Sequence, residues 1–155
     1  KKNLALVGDL DTRTAKSIAQ LAKRFDFNIT LIYPKNYPLP SEFSTSTNTY
    51  DIREATTQSE FYLALKDQHI VYYSNFTGTE LSEERINAYK NYYLSEKSLQ
   101  MLIEDYKKDL FLYSPLPRRP EEMDPQIDQT KYGLSFAGVK KSLYLRMALL
   151  TTLLT

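Results

Sequence analysis

Short strand-like runs alternate with segments of helical period along this chain, and that alternation constrains the fold more than any other feature. Leu4-Ala5-Leu6-Val7 is apolar without alternation and ends in Gly8-Asp9, the pattern of a parallel strand buried on both faces. From Thr14 to Phe25, Ala15, Ile18, Ala19, Leu21, Ala22 and Phe25 fall on one helical face. Ile29 to Tyr33 reads as a second strand, stopped by Pro34. Between Pro34 and Asn48, three prolines and the Ser44–Thr47 cluster mark a loop. Tyr50 to Glu54 is a candidate third strand. Thr57-Gln58-Ser59-Glu60 has the form of a capping box opening a helix that runs through Leu65.

His69 to Tyr73 follows as a fourth strand. Ser82 is placed to cap a further helix, with Glu83 and Glu84 in its favourable first turn and helical patterning to about Asp105. Leu110 to Tyr113 is a fifth strand running into Ser114-Pro115-Leu116-Pro117. A loop to about Gly138 precedes a last helix over Val139–Leu154. The expected fold is α/β: a doubly wound, mainly parallel sheet of about five strands with helices on both faces, Rossmann-like. Residues 1–155 read as one domain, long enough to bury a single core.

Composition removes several classes of function. The net charge of +1 offers no electrostatic reason for a nucleic-acid or membrane partner. No cysteine is present, which excludes disulfides, thiol catalysis and cysteine-bearing zinc sites, and fits a reducing, cytoplasmic compartment. No apolar run approaches 18 residues, so no membrane span is expected. The chain enters its first strand at once, from Lys1-Lys2-Asn3 with no initiator methionine, which reads as part of a longer polypeptide. The last helix carries Val139, Leu143, Leu145, Met147, Leu149, Leu150, Leu153 and Leu154 and has no clearly polar face in its second half. It is either a core helix at the chain end or one whose partner surface lies in the missing upstream part.

In an open parallel sheet, ligands bind outside the C-terminal ends of the strands. Gly8–Thr14, Ser74–Glu80 and Ser114–Arg119 all emerge there. Arg13 lies at the start of the first helix, where a cation opposes the helix dipole. Either an anionic ligand rewards it, through a bidentate fork and the backbone N–H donors, or it pairs on the surface with Asp9 or Asp11. One glycine after the first strand is too few for a dinucleotide fingerprint. His69, the only histidine, is expected to be structural. Glu121, Glu122, Asp124 and Asp128 lack metal-ligand spacing and read as a solvated loop.

Val7-Gly8-Asp9-Leu10-Asp11-Thr12-Arg13-Thr14-Ala15-Lys16-Ser17 resembles the V-G-D-L-K-x-G-R-T-x-x-S segment that opens the aspartate domain of aspartate carbamoyltransferases. Ser114-Pro115-Leu116-Pro117-Arg118 resembles their H-P-L-P-R loop. Asp128-Gln129-Thr130, Phe136 and Leu145-Arg146-Met147-Ala148-Leu149-Leu150 match the D-x-T, Y-F and A-R-Q-A-L-L elements at ungapped spacing. The Pro-Leu-Pro-Arg form points to the aspartate branch rather than the ornithine branch, which typically carries H-C-L-P.

The resemblance implies the C-terminal, amino-acid-binding domain of an enzyme that moves a carbamoyl group from carbamoyl phosphate to the amine of aspartate, a step of pyrimidine biosynthesis. It implies no metal and no organic cofactor, with catalysis by positioning and electrostatic stabilisation. It also implies an N-terminal carbamoyl-phosphate domain, absent here, and active sites between the subunits of a homotrimer. A lone second domain is then expected to be inert. Arg13 takes the position of the arginine that holds a substrate carboxylate. Pro115 and Leu116 take those of the loop whose carbonyls orient the attacking amine, with a cis Leu116–Pro117 bond. Three positions depart from the family's pattern: Asn75 stands for an arginine, Thr77 for a glutamine and Ser114 for a histidine. Those departures leave two further readings, a carbamoyltransferase for a different amine and a non-catalytic relative acting as partner or regulator.

Overall fold

In the computed structural model, residues 1–35, 39–44, 49–74 and 83–154 are described, the side chains of 84–86 excepted. Their order is β1 (Asn3–Gly8), α1 (Arg13–Arg24), β2 (Asn28–Tyr33), α2 (Ser41–Ser44), β3 (Asp51–Glu54), α3 (Gln58–Ala64), β4 (Ile70–Ser74), α4 (Glu83–Lys90), α5 (Glu96–Tyr106), β5 (Phe111–Tyr113), a 3-10 turn (Pro125–Gln129) and α6 (Ser135–Leu154). The strands form one parallel sheet in the order β3-β2-β1-β4-β5. The chain winds outward from β1 through β2 to β3, then returns to the other side of β1 for β4 and β5. The switch in direction therefore lies between β1 and β4.

The unbroken apolar runs are explained by packing on both faces. Along β1, Leu4 and Leu6 join Leu31, Tyr33 and Tyr72 beneath Ala15, Ala19 and Ala22 of α1. Ala5 and Val7 point the other way, into a core with Val71, Tyr73, Leu112, Phe61, Leu65, Leu99 and Leu102. Small alanines on α1 bring that helix close to the sheet. The opposite face is filled by aromatic residues, among them Phe61 against Tyr92 with ring centroids 5.0 Å apart. The expected capping box is present: Thr57 Oγ1 accepts from the Glu60 N–H, and Glu60 accepts from the Thr57 N–H.

The long helical stretch expected after Ser82 is two helices. Ser82 itself lies outside the described residues. The chain leaves α4 after Lys90 because Tyr92 and Leu94 turn into the core. The Tyr92 hydroxyl donates to the Ala55 carbonyl at 2.5 Å, and its own carbonyl accepts from the Tyr73 hydroxyl. Ser95 then caps α5 by accepting from the Ser98 N–H. Buried hydrogen bonds thus outweigh the local helical pattern.

The last helix starts at Ser135, before the expected Val139, with Gly138 inside it. A Cβ on Gly138 would sit 2.4 Å from the Tyr113 ring, so this glycine serves close packing and does not end a helix. Beyond that contact α6 leaves the core: Leu150 is 58%, Leu153 79% and Leu154 83% exposed. The core-helix reading of this segment is thereby corrected. Among the described residues no helix is long and apolar enough to cross a membrane.

His69 proves structural. Its Nδ1 accepts from the Asn3 N–H at 3.1 Å, joining the bases of β1 and β4, while burial lowers its pKa below the usual 6.5. The neutral ring is the form this bond requires. The unfolded chain therefore binds a proton at higher pH than the folded one, so the contribution is full above pH 6.5 and falls as pH drops towards the depressed folded value. We expect thermal midpoints measured below pH 6.5 to fall less steeply in His69→Asn, whose amide oxygen accepts the same bond without titrating.

Candidate functional site

The C-terminal edge of the sheet is built from three chain exits. β1 ends at Gly8, whose φ of 101° is in the left-handed region that glycine alone adopts freely. Asp9 Oδ1 then accepts from the Asp11 N–H at 3.1 Å, closing a tight turn. Thr12 caps α1 by accepting from the Ala15 N–H, and its hydroxyl also shares a 2.7 Å hydrogen bond with that of Ser74, the last residue of β4. One threonine therefore starts the helix and joins both sides of the switch point.

Arg13 is the first residue of α1 and is exposed. Among the described residues it forms no ion pair. Asp11 is instead engaged with Lys16 at 2.8 Å, and Lys16 also meets Glu42 at 2.9 Å. The surface pairing of Arg13 with Asp9 or Asp11 is not found. A cation is thus held at the unfavourable end of a helix, with no carboxylate among the described residues paired to it.

Two strands away, β5 runs into Ser114-Pro115-Leu116-Pro117-Arg118, and the Leu116–Pro117 bond is cis as expected. Two strand spacings, about 10 Å, separate the ends of β1 and β5 along the sheet edge. Ser114 is buried, Pro115 half-buried and Leu116 exposed. Arg118 folds back under the loop with its side chain 6% exposed, forming a fork on Asp128, itself 5% exposed. Nη1 donates to Asp128 Oδ1 at 3.1 Å and Nη2 donates to Oδ2. Asn75 and Thr77 lie outside the described residues.

Three of the four acids in the run, Glu122, Asp124 and Asp128, are structural acceptors, which corrects their reading as a solvated loop; Glu121 is exposed as expected. Asp128 receives Arg118. Asp124 accepts from the N–H groups of Glu96 and Gln126, and the buried Glu122 accepts from the Arg119 N–H. Loop acids whose partners come from different elements leave no periodic trace, so spacing could not identify them. The Arg118–Asp128 pair did have a signal, since both residues belong to matched motifs.

A cleft of about 540 Å³ opens on the β1–β2 side and is lined by Gly8 to Asp11, Lys16, Tyr33 and Glu42 among others. Arg13, Pro115 and Leu116 are not in its lining. Lys16 is fully occupied by its two carboxylates, so the cleft offers no free cation among the described residues.

A doubly wound parallel sheet with a capped helix and a pinned loop at its switch-point edge defines an α/β ligand-binding domain. The sequence model for "aspartate/ornithine carbamoyltransferase, Asp/Orn binding domain" matches residues 1–153, and the chain belongs to that family. The aspartate carbamoyltransferase catalytic subunit of Alkaliphilus oremlandii is 31% identical over 156 residues, covering 97% of this chain and 45% of the relative. The ureidoglycine carbamoyltransferase of Rubrobacter xylanophilus is 27% identical over 148 residues, covering 91% of this chain and 44% of the relative. An ornithine carbamoyltransferase structure from Burkholderia thailandensis superposes with a TM-score of 0.69 at 19% identity, covering 96% of this chain and 46% of that one; it supports the fold. The chain spans about half the length of the curated relatives it matches.

The buried pair beneath the loop carries a direct expectation. Asp128→Ala leaves the Arg118 guanidinium without its carboxylate in a closed site, so about 3–5 kcal/mol of stability should be lost in urea unfolding. A loss below about 1 kcal/mol, the range of exposed pairs, would show that water reaches the pair.

Proposed function

We propose that this chain is the amino-acid-binding half of a carbamoyltransferase of the aspartate type, with Arg13 holding a carboxylate of the acceptor and the Pro115 and Leu116 carbonyls orienting its amine. The observation that carries the reading is Arg13 itself, an exposed cation at the N-terminus of α1 on the ligand edge, with no ion pair among the described residues. A carboxylate there would meet a bidentate fork and helix N–H donors together. The oriented amine attacks the carbonyl carbon of carbamoyl phosphate, a tetrahedral centre forms, and phosphate leaves as the amine loses a proton. No residue of this reading requires a metal or an organic cofactor.

The other half of the site belongs to an N-terminal carbamoyl-phosphate domain, within a homotrimer in the cytoplasm and in the service of pyrimidine biosynthesis. The exposed apolar length of α6 supports an upstream docking partner, because Leu143, Leu145, Leu150 and Leu153 would each contribute about 1.5–3 kcal/mol on burial. Without that partner the chain should self-associate, and a clean monomer by light scattering at high concentration would contradict the docking role of α6.

A different acceptor amine is the second reading. Asn75 stands where the family's pattern has a carboxylate-gripping arginine, and one relative is named a ureidoglycine carbamoyltransferase. The test is a carbamoyl-transfer assay on the full-length gene product with aspartate, ornithine and a panel of other amines. Turnover with aspartate is expected, with KM raised roughly ten- to a hundredfold in Arg13→Met, the value of a lost charge-assisted contact. Turnover only with another amine establishes the second reading. A folded full-length protein silent with every amine is a non-catalytic relative.

A further inference from the structure

The hydroxyl of Ser135 occupies a place that the transfer reading leaves unassigned. It lies in the first turn of α6 and is 1% exposed. Its Oγ accepts from the Ser114 N–H at 3.1 Å and from Arg118 Nη1 at 3.3 Å. Those two donors flank the Pro115–Pro117 segment, so one oxygen receives both ends of the loop. Neither proline of that segment has an N–H to hold it from within. Arg118 is held in turn by its fork on Asp128.

Ser135 is itself fixed to the sheet. The Leu112 N–H donates to the Tyr132 carbonyl at 2.9 Å and the Leu134 N–H donates to the Leu112 carbonyl at 2.8 Å, so the chain entering α6 is bonded to β5. Gly133 packs against the backbone of Ile127 and Asp128, where a Cβ would lie 2.5 Å from the Ile127 carbonyl oxygen. The first turn of α6 also closes over the Tyr113 ring at Gly138. Backbone hydrogen bonds and the close contacts at Gly133 and Gly138 thus locate the hydroxyl, and it transmits that location to the loop. Ser114, which stands where the resembling motif has histidine, is thus tied through its N–H to Ser135.

We infer that Ser135 is the positioning residue of the Ser114–Arg118 loop, its hydroxyl oxygen fixing both ends of the segment that presents the Pro115 and Leu116 carbonyls. The purpose of those carbonyls rests on the proposed transfer function; the clamp itself does not.

The test compares Ser135→Ala and Ser135→Thr in the full-length protein, by amide hydrogen exchange and by carbamoyl transfer with the best acceptor amine. In Ser135→Ala, exchange in the peptide containing Ser114 should quicken about tenfold, the effect of one lost hydrogen bond, while β1 and β2 peptides stay protected. The acceptor's kcat/KM should fall about tenfold or more, with the KM for carbamoyl phosphate unchanged, and Ser135→Thr should recover most of both losses. Unchanged exchange at Ser114 overturns the inference. So does acceleration spread evenly through the sheet, which would make the hydroxyl a contributor to global stability alone. Local acceleration in a protein whose wild type turns over no amine upholds the clamp and overturns the transfer reading.

Discussion

The structure depends on burying β1 completely. Its edges are hydrogen-bonded to β2 and β4, and its side chains face apolar groups on both sides. A strand so placed has no remaining backbone donor or acceptor for water, so the next residues must leave the sheet at its C-terminal edge. Gly8 makes that exit by adopting a φ that other residues avoid, and Thr12 converts it into a helix start. The position of Arg13 follows from these steps. It is set by the central strand of the core rather than by a flexible loop, which suits a residue whose proposed work is orientation.

The edge handles its charges in two ways. Arg118 and Lys16 are consumed by protein carboxylates, Arg118 in a buried fork and Lys16 in a half-buried bridge from α1 to the Asp11 turn and to α2. Their charges hold segments in place and are not available to a ligand. Arg13 is left open. Removing water from Arg118 costs free energy that its fork on Asp128 and the Ser135 hydroxyl offset. Such an arrangement favours a single loop conformation over raw stability, which suits the orienting role proposed for the Pro115 and Leu116 carbonyls.

Most of the fold was legible because its signals are local and repeated. Apolar runs too short for buried helices, the capping box at Thr57 and the alanine stripe of α1 each had a physical meaning independent of the rest. The misses came where distant residues decide local structure. Tyr92 breaks a helical pattern to reach Ala55, and Gly138 lies inside a helix because Tyr113 needs the space. Of the site, Arg13 was visible as a cation at the wrong end of a helix. Pro115 and Leu116 were visible only through the family's motif, and Ser135 was not visible at all. A serine acting through one oxygen on partners 17 and 21 residues away leaves no pattern in the sequence.

The same residue explains why the exposed helix bears on the site. α6 is rigidly joined to the sheet through its first turn and is uncovered beyond it. Any surface that covers Leu143, Leu150 and Leu153 acts on a lever whose fixed end contains Ser135. A partner docked there would set the helix axis, and the continuous ladder of i→i−4 hydrogen bonds carries that orientation back to the helix root. The loop carbonyls and the docking helix are therefore parts of one mechanical unit. Under the proposed transfer reading, the acceptor amine would be oriented relative to a carbamoyl donor held by the domain that covers this helix. Joining the loop to the helix root through a single hydroxyl gives both requirements a common origin.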